Sequence, residues 1–480
     1  MRVGSKVLLA ACACAALSLF AGSQLLSTAA SAQGQTATQR VIVVFKNQDR
    51  SQPATRSMIG QRKRALRQIQ APVLSQMSTS GASNVHPYSV VNAVAATVPA
   101  GEVSSLKSNS AVSEVIPDQI IQLASPQTGG TASSSAGVAP LPGACAPAGK
   151  VQLDPQALQT MSVDSDQPGA KTARSLGLTG AGVTVAFIAD GLDTNNPDFI
   201  RANGQHVFVD YKDFSGAGTS APTAGGEAFL DASSIAAQGR HTYDVSHYSD
   251  LPLNRPCNIR IEGVAPGASL VGLSVFGAND DAGFNSSILD AIDYAVSVDH
   301  VNVINESFGS NFYPDDQASL DLIKQANDDA VAAGTTVTVS SGDAGVTSTI
   351  GTPSTDPEVI SAGASTTYRI DAQDGYGGAR FPGATGWLDN NISSFSSGGF
   401  EQDGRTVDAV APGELNWALC STDTAMYADC VNYAGQPSPV QATGGTSESA
   451  PLTAGEAALV IQAYRNATPV RRPAPRWSSS

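Results

Sequence analysis

Ser447 lies in Gly444-Gly445-Thr446-Ser447-Glu448-Ser449-Ala450-Pro451, ahead of a run of small and apolar residues from Leu452 to Val460. A glycine-rich turn there feeds a serine into the start of a buried helix. The open N–H groups and positive dipole end of a helix favour developing negative charge, so the place suits a nucleophile. Four acids could act with it. Asp190 closes a β-rich run, Val183 to Ala189, and Gly191 follows. Glu227 and Asp231 stand four apart in Gly226 to Ala237, so a helix sets both carboxylates on one face. Asp343 sits in Ser340-Ser341-Gly342-Asp343-Ala344-Gly345. Taken singly, each has a plainer reading: a turn cap, a solvated pair on an amphipathic helix, an Asp turn between glycines. His241 and His247 follow the helix pair and could serve as bases, although a surface position is the default for both.

These residues need a frame. From about residue 170, strand-like and helical runs alternate: Val183 to Ala189, a strand within Val264 to Phe276, a helix over Ser286 to Val298, a strand at Val301 to Ser307. A helix over Leu320 to Ala333 and strands at Thr336 to Ser340 and Val359 to Ala362 continue the pattern. This βαβ rhythm predicts an α/β fold with a doubly wound parallel sheet. Sites in such folds lie at the C-terminal ends of strands, where the candidate residues fall.

The order of the segments resembles the subtilase and sedolisin peptidases. Gly445-Thr446-Ser447 with Pro451 is similar to the nucleophile motif Gly-Thr-Ser-x-x-x-Pro. Gly263-Val264-Ala265-Pro266-Gly267-Ala268 and Val407 to Gly413 also match the subtilase pattern. The Gly-His-Gly-Thr-His segment of subtilases is absent. In its place, Glu227 and Asp231 resemble the Glu-x-x-x-Asp pair of sedolisins, where the glutamate does the work of the histidine. An alternative overlay sets Asp231 at the histidine. Asp343 stands where subtilases carry the oxyanion-holding Asn and sedolisins an Asp. Donating a hydrogen bond would require Asp343 to be protonated, through burial or neighbouring acids. The resemblance thus implies a catalytic set of Ser447, Glu227, Asp231, Asp343 and Asp190, the last orienting Asp231 or purely structural. It also implies substrate binding by Ser307, Phe308 and Gly309. No cofactor and no metal are called for. Calcium would serve only a structural role, and the C-terminal calcium site of sedolisins has no visible counterpart.

The implied protein is a secreted serine endopeptidase made as a zymogen, acting as a monomer on polypeptide substrates. The competing reading is an inactive protein of the same fold with a binding or structural role. Acidic residues outnumber basic ones, 42 to 27, for a net charge of -15, which argues against nucleic acid or an anionic membrane as a partner. Residues 1–32 read as a signal peptide: Arg2 and Lys6, an apolar run from Val7 to Gly22, and Ala30-Ser31-Ala32. Residues 39–123 read as a small α+β unit, and they resemble the inhibitor-type propeptide of subtilases, a partner for the enzyme's own site. Residues 124–169 are expected to be a linker because the Ser125 to Gly149 stretch is rich in Ser, Gly, Ala and Pro. Residues 170–466 form the peptidase domain, and 467–480 a disordered or truncated tail. Cys12 and Cys14 belong to the leader. Of the other four, Cys420 and Cys430 close a short loop, which leaves Cys145 for Cys257.

Overall fold

The computed structural model describes residues 37–122, 137–277, 282–309, 317–380, 386–400 and 404–468. Residues 1–36 and 469–480, with the expected signal peptide, lie outside them.

The N-terminal unit comprises β1 (Thr38–Phe45), α1 (Ile59–Ser80), β2 (Ser83–Pro87), β3 (Ala93–Pro99), α2 (Glu102–Lys107) and β4 (Val112–Pro117). Its antiparallel sheet runs β2-β3-β1-β4. Alternation along β1 sends side chains to two faces. Val41, Val43 and Phe45 share a core with Val73 and Met77 of α1. Ile42 and Val44 share a different one, described below. A short strand, β5 (Ile120–Gln122), ends the unit.

Residues 137–169, expected to be linker, are packed structure. They hold β6 (Gln152–Asp154) and α3 (Ala157–Thr160). Cys145 is disulfide-bonded to Cys257. Asp154 is fully buried and pairs with Arg369 at 2.6 Å. The composition of this stretch is loop-like, but its few large groups, Leu153 and Leu158 among them, are buried. Averaging over the segment hides such anchors. Residues 123–136 lie outside the description.

The chain then supplies β7 (Thr184–Ala189), β8 (Phe208–Asp213), α4 (Gly226–Ala236), β9 (Tyr243–Asp244), β10 (Asn258–Ile261), β11 (Ser269–Ser274), β12 (Ala282–Phe284) and α5 (Asn285–Tyr294). Next come β13 (Val303–Glu306), α6 (Gln317–Ala332), β14 (Thr336–Ser340), β15 (Ile360–Ala364), α7 (Tyr368–Gln373) and β16 (Ala409–Ala411). Last are β17 (Asn416–Leu419), β18 (Val440–Thr443) and α8 (Thr446–Ala467). Seven parallel strands form the central sheet in the order β16-β15-β14-β13-β7-β11-β8.

Strand β7 shows why the sheet must be covered on both sides. Val185, Phe187 and Ala189 join the core that holds α4 and α8. Ala186 and Ile188 join the one that holds Ile288 and Ile292 of α5 and Ile323 of α6. Ile42 and Val44 of β1 belong to this second core, so the N-terminal sheet lies against α5 and α6. Polar contacts reinforce the seam. Asp118 accepts from the Ser286 N–H at 2.9 Å in the first turn of α5, and Asp293 accepts from the Val90 N–H at 2.6 Å. The second disulfide joins Cys420 and Cys430, so both pairings match the sequence reading.

Candidate active site

Helix α8 delivers Ser447. Gly445, just before it, has φ 126 and ψ -179, a conformation open to glycine. A side chain there would also strike Asp343 Oδ2, at 2.9 Å from its Cβ. Pro451 lies inside the helix and has no N–H, so the carbonyl four residues earlier, that of Ser447, loses its helical partner. The Ser307 hydroxyl fills the gap at 3.0 Å. The Ser447 hydroxyl donates to the Ser307 carbonyl oxygen at 3.1 Å. Ser447 is thus half-buried in the first turn of a 22-residue helix and tied to the C-terminal end of β13.

Helix α4 delivers the acids. Asp190, at the end of β7, accepts from the Ala228 N–H at 2.7 Å, the Gly225 N–H and the Thr223 hydroxyl. A carboxylate from another element therefore caps the positive end of α4. The far end of α4 is closed by Val264 and Ala265, whose N–H groups donate to the carbonyls of Ser234 and Ile235 at 2.9 and 2.8 Å. Held at both ends, α4 is buried along its whole length, acids included: Glu227 is 9% exposed and Asp231 0%. Asp231 Oδ1 accepts from the Ser307 hydroxyl at 2.6 Å and from Asn305 Nδ2 at 3.0 Å. Asp231 Oδ2 and Glu227 Oε1 are buried without a hydrogen-bond partner. Burial pushes the Glu227 carboxyl well above its usual range, and the negative charges of Asp231, Asp190 and Asp343 push the same way, against the Ser307 hydroxyl. Burial also raises Asp231, with Glu448 and Asp190 adding to it and the Ser307 hydroxyl and Asn305 opposing.

Asp343 follows β14 and is exposed. Its Oδ1 accepts from both the N–H and the hydroxyl of Thr446, each at 2.9 Å. The burial expected to keep this carboxyl protonated is therefore missing. Asp343 is close enough to Glu227 to raise it. Ser307 and Phe308 are buried at the C-terminal end of β13, and Gly309 is exposed beside them.

The histidines are elsewhere. His241 follows the far end of α4, about 16 Å along an 11-residue helix from Glu227. Its Nδ1 is 3.0 Å from Asp198. His247 is mostly exposed, 3.7 Å from Asp244. Among the described residues, no group of three or more His, Cys, Asp or Glu could hold a metal ion. Two members of the cluster escaped the sequence reading. Glu448 and Ser234 form a hydrogen bond at 2.7 Å, both buried. Ser234 could have been found, because 227, 231 and 234 share one helical face.

A sequence profile described as "Subtilase family" matches residues 180–472. The chain belongs to the subtilase family. Among subtilase relatives, the minor extracellular protease Vpr of Bacillus subtilis (strain 168) is 31% identical over 199 residues, which cover 41% of this chain and 22% of Vpr. Subtilisin E of the same organism is 29% identical over 315 residues, covering 64% of this chain and 62% of subtilisin E. The chain thus spans less than two thirds of either relative. The fold matches fervidolysin from Fervidobacterium pennivorans, a keratinolytic enzyme related to subtilisin, with a TM-score of 0.55 at 18% identity, over 90% of this chain and 56% of that one. It also matches the epidermin leader peptide processing serine protease from Staphylococcus aureus, with a TM-score of 0.55 at 14% identity, over 89% and 90% of the two chains. At such identities these structures speak for the subtilisin-like α/β fold alone.

Proposed function

We propose that this subtilase is a secreted serine endopeptidase, made as a zymogen, whose site runs on carboxylates in the sedolisin manner. The observation that carries the reading is Glu227 in the first turn of α4, buried, beside Asp190, and with no histidine among the groups that shift it. Ser447 attacks the scissile carbonyl, and Glu227 takes its proton. Asp231, held by Ser307 and Asn305, keeps the pair in register. Asp343 stabilises the oxyanion. Thr446 occupies Asp343 Oδ1 with two donors, which leaves Oδ2, next to Gly445, as the oxygen to carry the proton. Ser307, Phe308 and Gly309 line the substrate's path. The N-terminal unit acts as propeptide: its sheet covers α5 and α6, and its last strand, β5, pairs antiparallel with β12. The leader and the two disulfides support export.

A site built on carboxylates in the sedolisin manner is expected to work best in acid. One observation favours the inactive alternative: the Ser447 hydroxyl is bonded to a carbonyl oxygen, not to a carboxylate. A serine-directed fluorophosphonate probe applied from pH 3 to 8 separates the two. Labelling at Ser447 that peaks in acid and vanishes in Glu227→Gln supports the carboxylate site. Labelling near pH 8 that ignores Glu227 moves the base elsewhere, and folded protein that never labels is the inactive form.

A further inference from the structure

Glu448 is the residue after the proposed nucleophile, and its side chain is 0% exposed. A buried carboxylate is expensive unless hydrogen-bonded. Here each oxygen has one donor: Ser234 on α4 reaches Oε2 at 2.7 Å, and Asn416 on β17 reaches Oε1 at 3.1 Å. Asn416 is itself fixed by donating to the Pro412 carbonyl oxygen at 2.7 Å. Ser234 lies on the same face of α4 as Glu227 and Asp231. The first turn of α8 is therefore joined to the acid face of α4 at two points. Ser307 bridges Asp231 and the Ser447 carbonyl at one. Glu448 bridges α4 and β17 at the other.

We propose that Glu448 is a positioning residue that locks the Ser447 turn of α8 against the acid face of α4. This rests on the carboxylate-site reading above. Glu448 touches no reacting atom; it sets where Ser447 stands relative to Glu227, and it adds a third acid to their shared charge. The titratable groups that face it are Glu227 and Asp231 from α4; Asp190 from the end of β7 and Asp343 from the end of β14 act on Glu227. Glu306 of β13 is bonded to Asn327 of α6 instead. β15, β16 and β17 carry no titratable residue. No cation is among the groups that shift Glu227, Asp231 or Glu448. Burial raises the Glu448 carboxyl well above its usual range, Glu227 adds to that, and Ser234 and Asn416 oppose it.

Two substitutions in the full chain separate position from charge. Glu448→Gln keeps the shape and removes the charge. Its fluorophosphonate labelling should reach a near-normal maximum with little change in pH profile, because the side chain still spans α4 and β17. Glu448→Ala removes the bridge, and its labelling should fall about 100-fold at every pH in protein that retains its fold by circular dichroism. Wild-type labelling at Glu448→Ala, or a loss at Glu448→Gln as large as that at Glu448→Ala, overturns the proposal. Hydrogen exchange provides a readout that needs no activity. The amides of Thr446 to Ala450 should exchange at least about tenfold faster in Glu448→Ala than in wild type and stay near wild type in Glu448→Gln. If wild type never labels, the catalytic reading fails alone, and unchanged exchange in Glu448→Ala then sinks the positioning role. If Glu448→Ala does not fold, Asn416→Ala, which removes one donor to the same carboxylate, decides: faster exchange of the Thr446 to Ala450 amides supports the bridge and wild-type exchange overturns it.

Discussion

The two ends of α4 each carry an aspartate from the β7–β8 connection with a titratable partner, and the less promising pair by residue type is the better site. At the far end, Asp198 and His241 form an aspartate–histidine pair at 3.0 Å. Asp198 also accepts from the Arg240 N–H at 2.8 Å and the Tyr243 hydroxyl at 2.9 Å, so it is saturated with donors in a buried pocket. His241 is half exposed there. At the near end, Asp190 caps α4 and Glu227 keeps a buried oxygen without a partner. That end lies at the C-terminal edge of the parallel sheet, where β7, β13 and β14 also deliver Ser307 and Asp343 to the Ser447 turn. Spare bonding capacity at the strand ends, not the presence of a histidine, marks the end proposed as functional.

The comparison can be broken in several ways. Ser447→Ala should lower peptidase turnover on the order of 10^6-fold, the size seen when a serine peptidase loses its nucleophile. Retained turnover would move the chemistry off α8. Glu227→Gln should lower kcat/KM by roughly 10^2- to 10^4-fold, the span of general-base catalysis; a loss below tenfold would unseat Glu227 as the base. Asp198→Ala strips a buried acceptor from several donors and should destabilise by about 2 to 4 kcal/mol in urea titration, while leaving the pH profile of labelling in place. His241→Ala should change turnover less than about twofold, because a half-exposed pair contributes little. A large loss there would make the far end catalytic and reverse the comparison.

Stability against pH sharpens the same contrast. Glu227, Asp231 and Glu448 hold their protons more tightly folded than unfolded. The stability this supplies is complete below the ordinary carboxylate range and is lost as pH rises through the raised folded values. The Tm should therefore fall as pH rises above the ordinary carboxylate range, near about 4, and fall less in Glu227→Gln, which stays neutral. His241→Ala should leave that slope alone.

The amino-acid sequence by itself determined the frame. Strand and helix periods placed β7, β11, β13, β14, β15, α5 and α6, because apolar residues repeat at the spacing of the structure they form. The glycine turn before Ser447 and the four-residue interval from Glu227 to Asp231 were legible for the same local reason. The pairings of the four cysteines outside the leader followed from loop length. Other features were decided only in three dimensions. Residues 137–169 pack because isolated anchors, Cys145, Asp154 and Leu158, meet partners more than a hundred residues away. Strands β8 and β16 and the antiparallel pair β17–β18 escaped notice because they are short and part polar, and neighbours complete them. His241 looked eligible as a base until α4 set it beyond the opposite end of the helix from Glu227. Glu448 looked like one more polar residue in a small-residue run. Its role emerges only where α4, α8 and β17 converge, because the burial of a carboxylate and the donors that satisfy it are properties of packing and not of neighbours in the chain.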